Sequence, residues 1–149
     1  MKRSKSEAIA VQLGELLADS VVETGVGSEA NVIVPMPIHW WKKFRRGFNA
    51  SSVIAKGLSR SLQIPFVGKS LCSMRLTRKQ GTLSNIARIK NVKDSVGVWD
   101  SRRVSGRQVM LVDDVATSCA TANEAAKVLH AAGAVHVTLV VVARGVRAR

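Results

Sequence analysis

Residues 109–121 limit the fold more than any other part of the chain. The first four are apolar and lie between turn-forming and polar residues, a pattern that predicts a strand buried on both faces. Asp113 and Asp114 follow, so two carboxylates arrive at the carboxyl end of the strand, the edge where open α/β sheets bind ligands. Thr117, Ser118 and Thr121 then lead into an Ala-rich helical segment, whose N-terminus favours an anion. One end of the segment therefore suits a polyol and the other a phosphate, as in a phosphorylated sugar.

This segment resembles the phosphoribosyl-pyrophosphate (PRPP) motif of type I phosphoribosyltransferases. The resemblance implies that Asp113 and Asp114 hold the ribose hydroxyls, and that Mg²⁺ binds with PRPP near them without direct protein ligands. It also implies that the following loop holds the 5′-phosphate. The loop residues are Ala116, Thr117, Ser118, Cys119, Ala120 and Thr121. Cys119 stands where the motif usually has Gly, which would cost about 1–2 kcal/mol if the position needs a positive φ.

Three other kinds of site or turn share part of this pattern. A Walker B strand is excluded because no G-x-x-x-x-G-K-[ST] motif precedes it. A response-regulator receiver is disfavoured. Its paired acids come at the end of the first strand, whereas here only about one βα unit follows the two acids. A simple strand–helix turn would have Thr121 as N-cap and Glu124 completing a capping box, and we expect Thr121 to cap the helix in any case. That cap would not account for both acids and the further hydroxyls, so a ligand site is the favoured interpretation.

Length and composition favour a single domain of 149 residues, 1–149, long enough to bury a core. No stretch resembles a signal peptide, and no apolar run is long enough to cross a bilayer, so we expect a soluble cytoplasmic protein with no membrane partner. Cys72 and Cys119 are too few for a zinc site, and we expect free thiols.

The charge distribution indicates a polyanionic ligand. The formal net charge is +13, and thirteen Lys and Arg residues but no acid lie between Glu29 and Asp94. A solvated surface would normally mix both signs. A pyrophosphate-bearing molecule and a nucleic acid both fit this block of charge.

Residues 36–49 interleave aromatic and basic side chains, which is typical of single-stranded nucleic-acid binding but also suits a flap over a small anion. Two motifs here resemble the ComF/GntX branch of the phosphoribosyltransferases. The resemblance places the first near the pyrophosphate site and the second in a hood over the active site. The first comprises Met36, Pro37, Ile38 and His39, and the second Arg45, Arg46, Gly47, Phe48 and Asn49.

The other segments complete an α/β pattern. We expect an N-terminal helix over residues 5–23 within segment 1–30, capped by Ser4 and Glu7. Its apolar face should carry Ile9, Leu13 and Leu16, with Leu17 and Val21 alongside. A strand at 32–34 ends at Pro35 and Pro37, and Asn49 caps a helix to about residue 62. A strand at 71–74, a flexible basic loop at 75–93, an edge strand at 96–99 and a βαβ unit at 109–143 follow. Gln80 and Arg88 in the loop match the pattern of the family.

The resemblance covers roughly residues 31–144 and implies a Rossmann-like phosphoribosyltransferase fold, with a mostly parallel central sheet, flanking helices and a small hood. The Cys-rich N-terminal zinc module of many longer relatives is not expected. The implied activity is transfer of the phosphoribosyl group from PRPP, with Mg²⁺, to an unidentified acceptor with release of pyrophosphate. The alternative is a non-catalytic accessory protein of DNA uptake that binds single-stranded nucleic acid. The sequence does not predict the oligomeric state.

Overall fold

The computed structural model describes residues 2–38, 47–74 and 93–145, with the side chains of residues 2–4 left out. Three helices, five strands and one short 3₁₀ turn follow one another in this part of the chain. In order they are α1 (Lys2–Thr24), β1 (Val32–Pro35), α2 (Ala50–Leu62), β2 (Leu71–Ser73), β3 (Val96–Val98), the 3₁₀ turn (Ser101–Arg103), β4 (Gln108–Ala116), α3 (Ala120–Ala131) and β5 (His136–Arg144).

The main sheet is parallel and has the order β1-β4-β5. Phe66 adds a parallel bridge to Ile33 on the free side of β1, where Ile33 N donates to the Pro65 carbonyl at 2.8 Å. The predicted parallel sheet and the β4-α3-β5 unit are therefore confirmed. β2 and β3 form a separate antiparallel pair.

Apolar side chains on the two faces of β4 belong to two different clusters. Val109 and Leu111 pack with α3 and the β2–β3 pair. Met110 and Val112 pack with α1 and α2. Because successive side chains of a strand point to opposite faces, β4 is covered by helices on both sides, as its unbroken apolar run predicts.

The N-terminal helix differs from the prediction in its start and in its buried face. α1 begins at Lys2, so Ser4 lies inside the helix and does not cap it. Ile9 and Leu16, predicted to be inside, are 56% and 64% exposed. The most buried positions are instead occupied by Ala10, Gly14 and Ala18, together with Val21, which was predicted to be inside.

Small residues explain why α1 buries a different face from the one predicted. A Cβ atom built on Gly14 would collide with the Ile54 carbonyl oxygen of α2, and one built on Gly57 would lie 2.6 Å from the Val11 carbonyl oxygen. The two helices therefore approach backbone to backbone, which a face of Leu and Ile would not allow. Among the described residues, no helix is long and apolar enough to cross a membrane.

Candidate functional site

β1 and β4 bring two of the predicted motifs to one edge of the sheet. β1 ends at Pro35, and the ladder continues by one hydrogen bond, from Met36 N to the Val112 carbonyl at 2.8 Å. Met36 is buried, and Pro37 and Ile38 are half-buried. The Pro-x-Pro segment thus leaves the sheet directly beside the residue that precedes Asp113. His39 lies outside the described residues.

The carboxylate of Asp113 is held by two donors. Its Oδ1 atom accepts a hydrogen bond from the Ser51 hydroxyl at 2.9 Å and another from Asp114 N at 2.9 Å. Ser51 lies in the first turn of α2 and is 5% exposed. Oδ1 of Asp114 accepts from Val115 N at 2.8 Å. Both carboxylates are half-buried, so each is fixed by protein donors while part of its surface is open to a ligand.

Burial raises the pKa of Asp113 from 3.8 to about 6, and the neighbouring charge of Asp114 adds to this effect. The hydrogen bond from Ser51 acts in the opposite direction, because it stabilises the charged form. A carboxyl pKa near neutrality is a frequent property of ligand-binding and catalytic sites.

The loop after β4 collects the predicted hydroxyls at the start of α3. Ala116 ends β4, and its carbonyl accepts from Gly145 N at 2.9 Å. Thr117 is exposed, while Ser118 and Thr121 are half-buried. These side chains lie on the same βα connection as the two carboxylates, as the motif requires. Their roles toward a phosphate stay a prediction.

The predicted capping box at Thr121 and Glu124 is wrong. α3 begins at Ala120, and its N-cap is Cys119, whose φ of 56° lies in the left-handed region. The Glu124 side chain accepts instead from Asp94 N at 2.9 Å and thus joins α3 to the segment before β3. The N-cap therefore lies two residues earlier than the capping pattern suggested, at the residue whose left-handed backbone precedes α3.

Asn49 connects the two motifs of the 36–49 segment. It occupies the predicted N-cap position of α2, but its side chain makes no capping bond. Its Nδ2 group donates to the Met36 carbonyl at 3.0 Å. Gly47 has a φ of 85°, and Phe48 is half-buried. The predicted site residues Arg45, Arg46, Gln80 and Arg88 lie outside the described residues.

Sequence reasoning missed Ser51, the donor to Asp113. The available signal was its position, two residues after the N-cap Asn49 and on the side of α2 that carries the buried residues Ile54 and Ala55. A buried serine at a helix start needs a hydrogen-bond partner, but the sequence does not indicate which residue supplies it.

The donor set suits Mg²⁺ held together with a phosphorylated ligand. In the described part of the chain, no group of three or more His, Cys, Asp or Glu side chains could hold a metal ion alone. Mg²⁺ commonly takes one or two carboxylates and completes its shell with water and substrate phosphates. Asp113 and Asp114 could also face such an ion through its water ligands, which agrees with the expectation that no side chain of the protein ligates it directly.

Solved structures with a similar fold are phosphoribosyltransferases. The glutamine PRPP amidotransferase of B. subtilis superposes with a TM-score of 0.62 at 23% identity, covering 91% of this chain and 26% of that one. A purine phosphoribosyltransferase from Pyrococcus horikoshii gives a TM-score of 0.53 at 16% identity, covering 89% and 70%. The chain therefore has the fold of the type I phosphoribosyltransferases.

Curated relatives define the family more closely. Competence protein F of Haemophilus influenzae is 34% identical over 102 residues, which are 68% of this chain and 44% of that protein. DNA utilization protein YhgH of Escherichia coli K12 is 33% identical over 138 residues, which are 90% of this chain and 60% of that protein. No family model matches the chain. The chain belongs to the ComF family and spans about half to three-fifths of the length of these relatives.

Proposed function

We propose that the chain binds PRPP together with Mg²⁺ and transfers its phosphoribosyl group to an acceptor. The observation that carries this proposal is the pair Asp113 and Asp114 at the carboxyl end of the central strand of a phosphoribosyltransferase fold. The hydroxyl-bearing loop on the same βα connection supports it, because a sugar phosphate needs both kinds of partner.

Each part of the site has one task in this proposal. Asp113 and Asp114 accept hydrogen bonds from the ribose hydroxyls, and residues 116–121 hold the 5′-phosphate. Met36, Pro37 and Ile38 lie beside the pyrophosphate. Mg²⁺, bound with the pyrophosphate near the two carboxylates, neutralises charge on the leaving group. The basic residues between Glu29 and Asp94 attract the anion.

The reaction replaces one bond at the anomeric carbon by another. The bond from that carbon to the pyrophosphate oxygen breaks, and its electron pair leaves with pyrophosphate. A lone pair of the acceptor forms the new bond. Positive charge develops on the ribose ring between these events, and the adjacent carboxylates stabilise it. The protein thus contributes positioning and charge rather than a covalent intermediate.

Calorimetric titration of PRPP with Mg²⁺ tests the proposal. The double variant Asp113→Asn with Asp114→Asn should lose at least about tenfold in affinity, or about 1.4 kcal/mol. Asparagine keeps a side-chain oxygen that can accept from Ser51 Oγ, so the fold should persist. The matched control is Asp19→Asn with Glu23→Gln, which removes two exposed charges from α1 and should bind as the wild type does. Equal affinity in the double-Asn variant and the wild type would contradict the proposal.

A second candidate function is binding of single-stranded nucleic acid without catalysis. The net charge of +13 and the name of the DNA utilization relatives favour it. Titration of single-stranded DNA at two salt concentrations tests it, because each neutralised phosphate steepens the loss of affinity with salt. DNA binding of this kind without PRPP binding would support the second candidate, and PRPP binding without DNA binding would contradict it.

A further inference from the structure

The outward face of α1 carries a regular row of six side chains, which we call the outer seam. It lies on the side of the helix away from the buried residues Ala10, Gly14 and Ala18. Its members follow one another at alternating intervals of four and three residues, the spacing that keeps side chains on one face of a helix. They are all exposed, and they are Lys5, Ile9, Gln12, Leu16, Asp19 and Glu23.

Two large aliphatic side chains occupy the middle of the outer seam. Ile9 and Leu16 lie seven residues apart, and more than half of the surface of each is exposed. Aliphatic residues at this interval on one helix face are typical of contact with a second helix. The close approach of Gly14 to α2 holds the other side of α1 in place, so the seam is presented outward on a fixed helix.

The charges of the outer seam are separated along the helix. Lys5 lies near its amino end, and Asp19 and Glu23 lie near its carboxyl end. None of the three forms an ion pair with another residue that the structure describes. α1 as a whole has three basic and four acidic residues in a chain with a net charge of +13. Two copies of this basic chain can therefore approach each other along α1 with little repulsion, whereas the acids disfavour a nucleic acid there.

This order of charges is the reverse of the one that stabilises a helix by itself. The helix dipole favours acids at the amino end and bases at the carboxyl end. Stability of α1 alone therefore does not account for Lys5 at the first end and Asp19 and Glu23 at the second. In an antiparallel pair of α1 helices related by a two-fold axis, the basic end of each helix meets the acidic end of the other.

We propose that the chain forms a reversible homodimer through antiparallel contact between the outer seams of two α1 helices. Ile9 of one protomer packs beside Leu16 of its partner, and Lys5 lies at the acidic end of the partner's helix. Because each seam contributes only two large aliphatic side chains, and not the broad apolar face of an obligate dimer, monomer and dimer should exchange. The dimer does not depend on PRPP binding, so its failure would leave the proposed function intact.

Sedimentation equilibrium of the full chain over about two decades of concentration tests the dimer. A salt concentration of about 150 mM limits long-range repulsion between the two basic chains to about 8 Å. Ile9→Glu with Leu16→Glu should raise the dissociation constant at least about tenfold. Val135→Glu is the matched control, because Val135 is 66% exposed and lies outside α1, and it should dimerise as the wild type does. A wild-type chain that is monomeric at every concentration, or equal effects of the two changes, would overturn the proposal.

Charge reversal tests the antiparallel arrangement. Lys5→Glu alone, and Asp19→Lys with Glu23→Lys, should each weaken the dimer about fivefold, because like charges then meet at both ends. All three substitutions in one chain should restore the dimer. A parallel pair would place like charges together in every one of these chains and would show neither loss nor recovery. The substitutions give α1 the charge order that its dipole favours, so weaker association would not reflect unfolding of the helix. Absence of recovery in the triple variant would refute the arrangement.

Discussion

The hydroxyl of Ser51 donates a hydrogen bond to Oδ1 of Asp113 at 2.9 Å, across 62 positions of sequence. It joins the first turn of α2 to the carboxyl end of β4. Ser51→Ala removes this donor and should lower the free energy of unfolding by about 1–2 kcal/mol at pH 8, a value reduced from that of fully buried charged pairs because Asp113 is half-buried.

The loss should be smaller at pH 5, where Asp113 is protonated and its neutral oxygen is a weaker acceptor. Urea unfolding at the two pH values measures both effects. Ser52→Ala, the neighbouring half-buried serine, serves as control and should change stability by less than about 0.5 kcal/mol. An equal loss at pH 5 and pH 8 would show that the bond does not favour the charged carboxylate.

Asp113 itself should make stability depend on pH. Its pKa in the folded chain is about 6, above the ordinary 3.8, so the folded state binds more protons than the unfolded state between about pH 4 and 6. Its contribution to stability therefore falls as pH rises through that window. Asp113→Asn cannot ionise, so the stability of the variant relative to the wild type should increase from pH 4 to 6 and then level off.

Asp100 provides the control for this titration. Its side-chain hydrogen bond with Arg102 lowers its pKa below 3.8, so above about pH 5 it is ionised in the folded and the unfolded chain alike. Asp100→Asn should therefore leave the slope of stability between about pH 5 and 6 as in the wild type. Denaturation midpoints at four or five pH values are sufficient, and a flat difference for Asp113→Asn would refute the prediction.

Contact between α1 and α2 should not tolerate a methyl group. Gly14→Ala places a Cβ atom against the Ile54 carbonyl oxygen. Overpacking of this kind costs about 1–3 kcal/mol, more than the roughly 1 kcal/mol gained in helix propensity. Thermal unfolding should show a net loss. Gln12→Ala on the exposed side of α1 should be neutral or slightly stabilising, and a stabilising Gly14→Ala would mean that the helices lie farther apart.

Cys119 should be strained at its position. Its φ of 56° lies in the left-handed region, where a residue with a Cβ atom costs about 1–2 kcal/mol. Cys119→Gly relieves that strain but adds freedom to the unfolded chain, so it should be about 1 kcal/mol more stable than Cys119→Ala. Comparing Gly with Ala, rather than with Cys, separates backbone strain from loss of the thiol. Equal stability of the two variants would exclude the strain.

Local pattern was sufficient to predict β4, α3 and β5. The apolar run 109–112, the small apolar residues from Ala122 to Leu129 and the apolar run before Arg144 each have the period of their element. The two acids at the carboxyl end of β4 followed from the same reasoning. Predictions succeeded where the information lies within one segment.

The same approach failed where two segments determine the outcome together. The buried face of α1 is set by the backbone of α2, where the Ile54 carbonyl oxygen leaves no room for a Cβ atom at Gly14, and not by the largest apolar residues of α1. Glu124 caps no helix because the backbone of Asp94 offers it a donor. The role of Ser51 likewise depends on a distant residue, Asp113, to which it donates a hydrogen bond. Each partner is distant in sequence, so no local spacing could have identified it.

Met74 N donates to the Ser95 carbonyl at 2.8 Å, so the chain leaves the β2–β3 pair and returns to it at one point. For a segment that begins and ends at the same place, closure entropy grows only with the logarithm of its length, about 0.6 kcal/mol for each doubling. An engineered change in the number of residues between Met74 and Ser95 should therefore cost the fold little free energy, as long as Met74 N keeps its hydrogen bond to the Ser95 carbonyl.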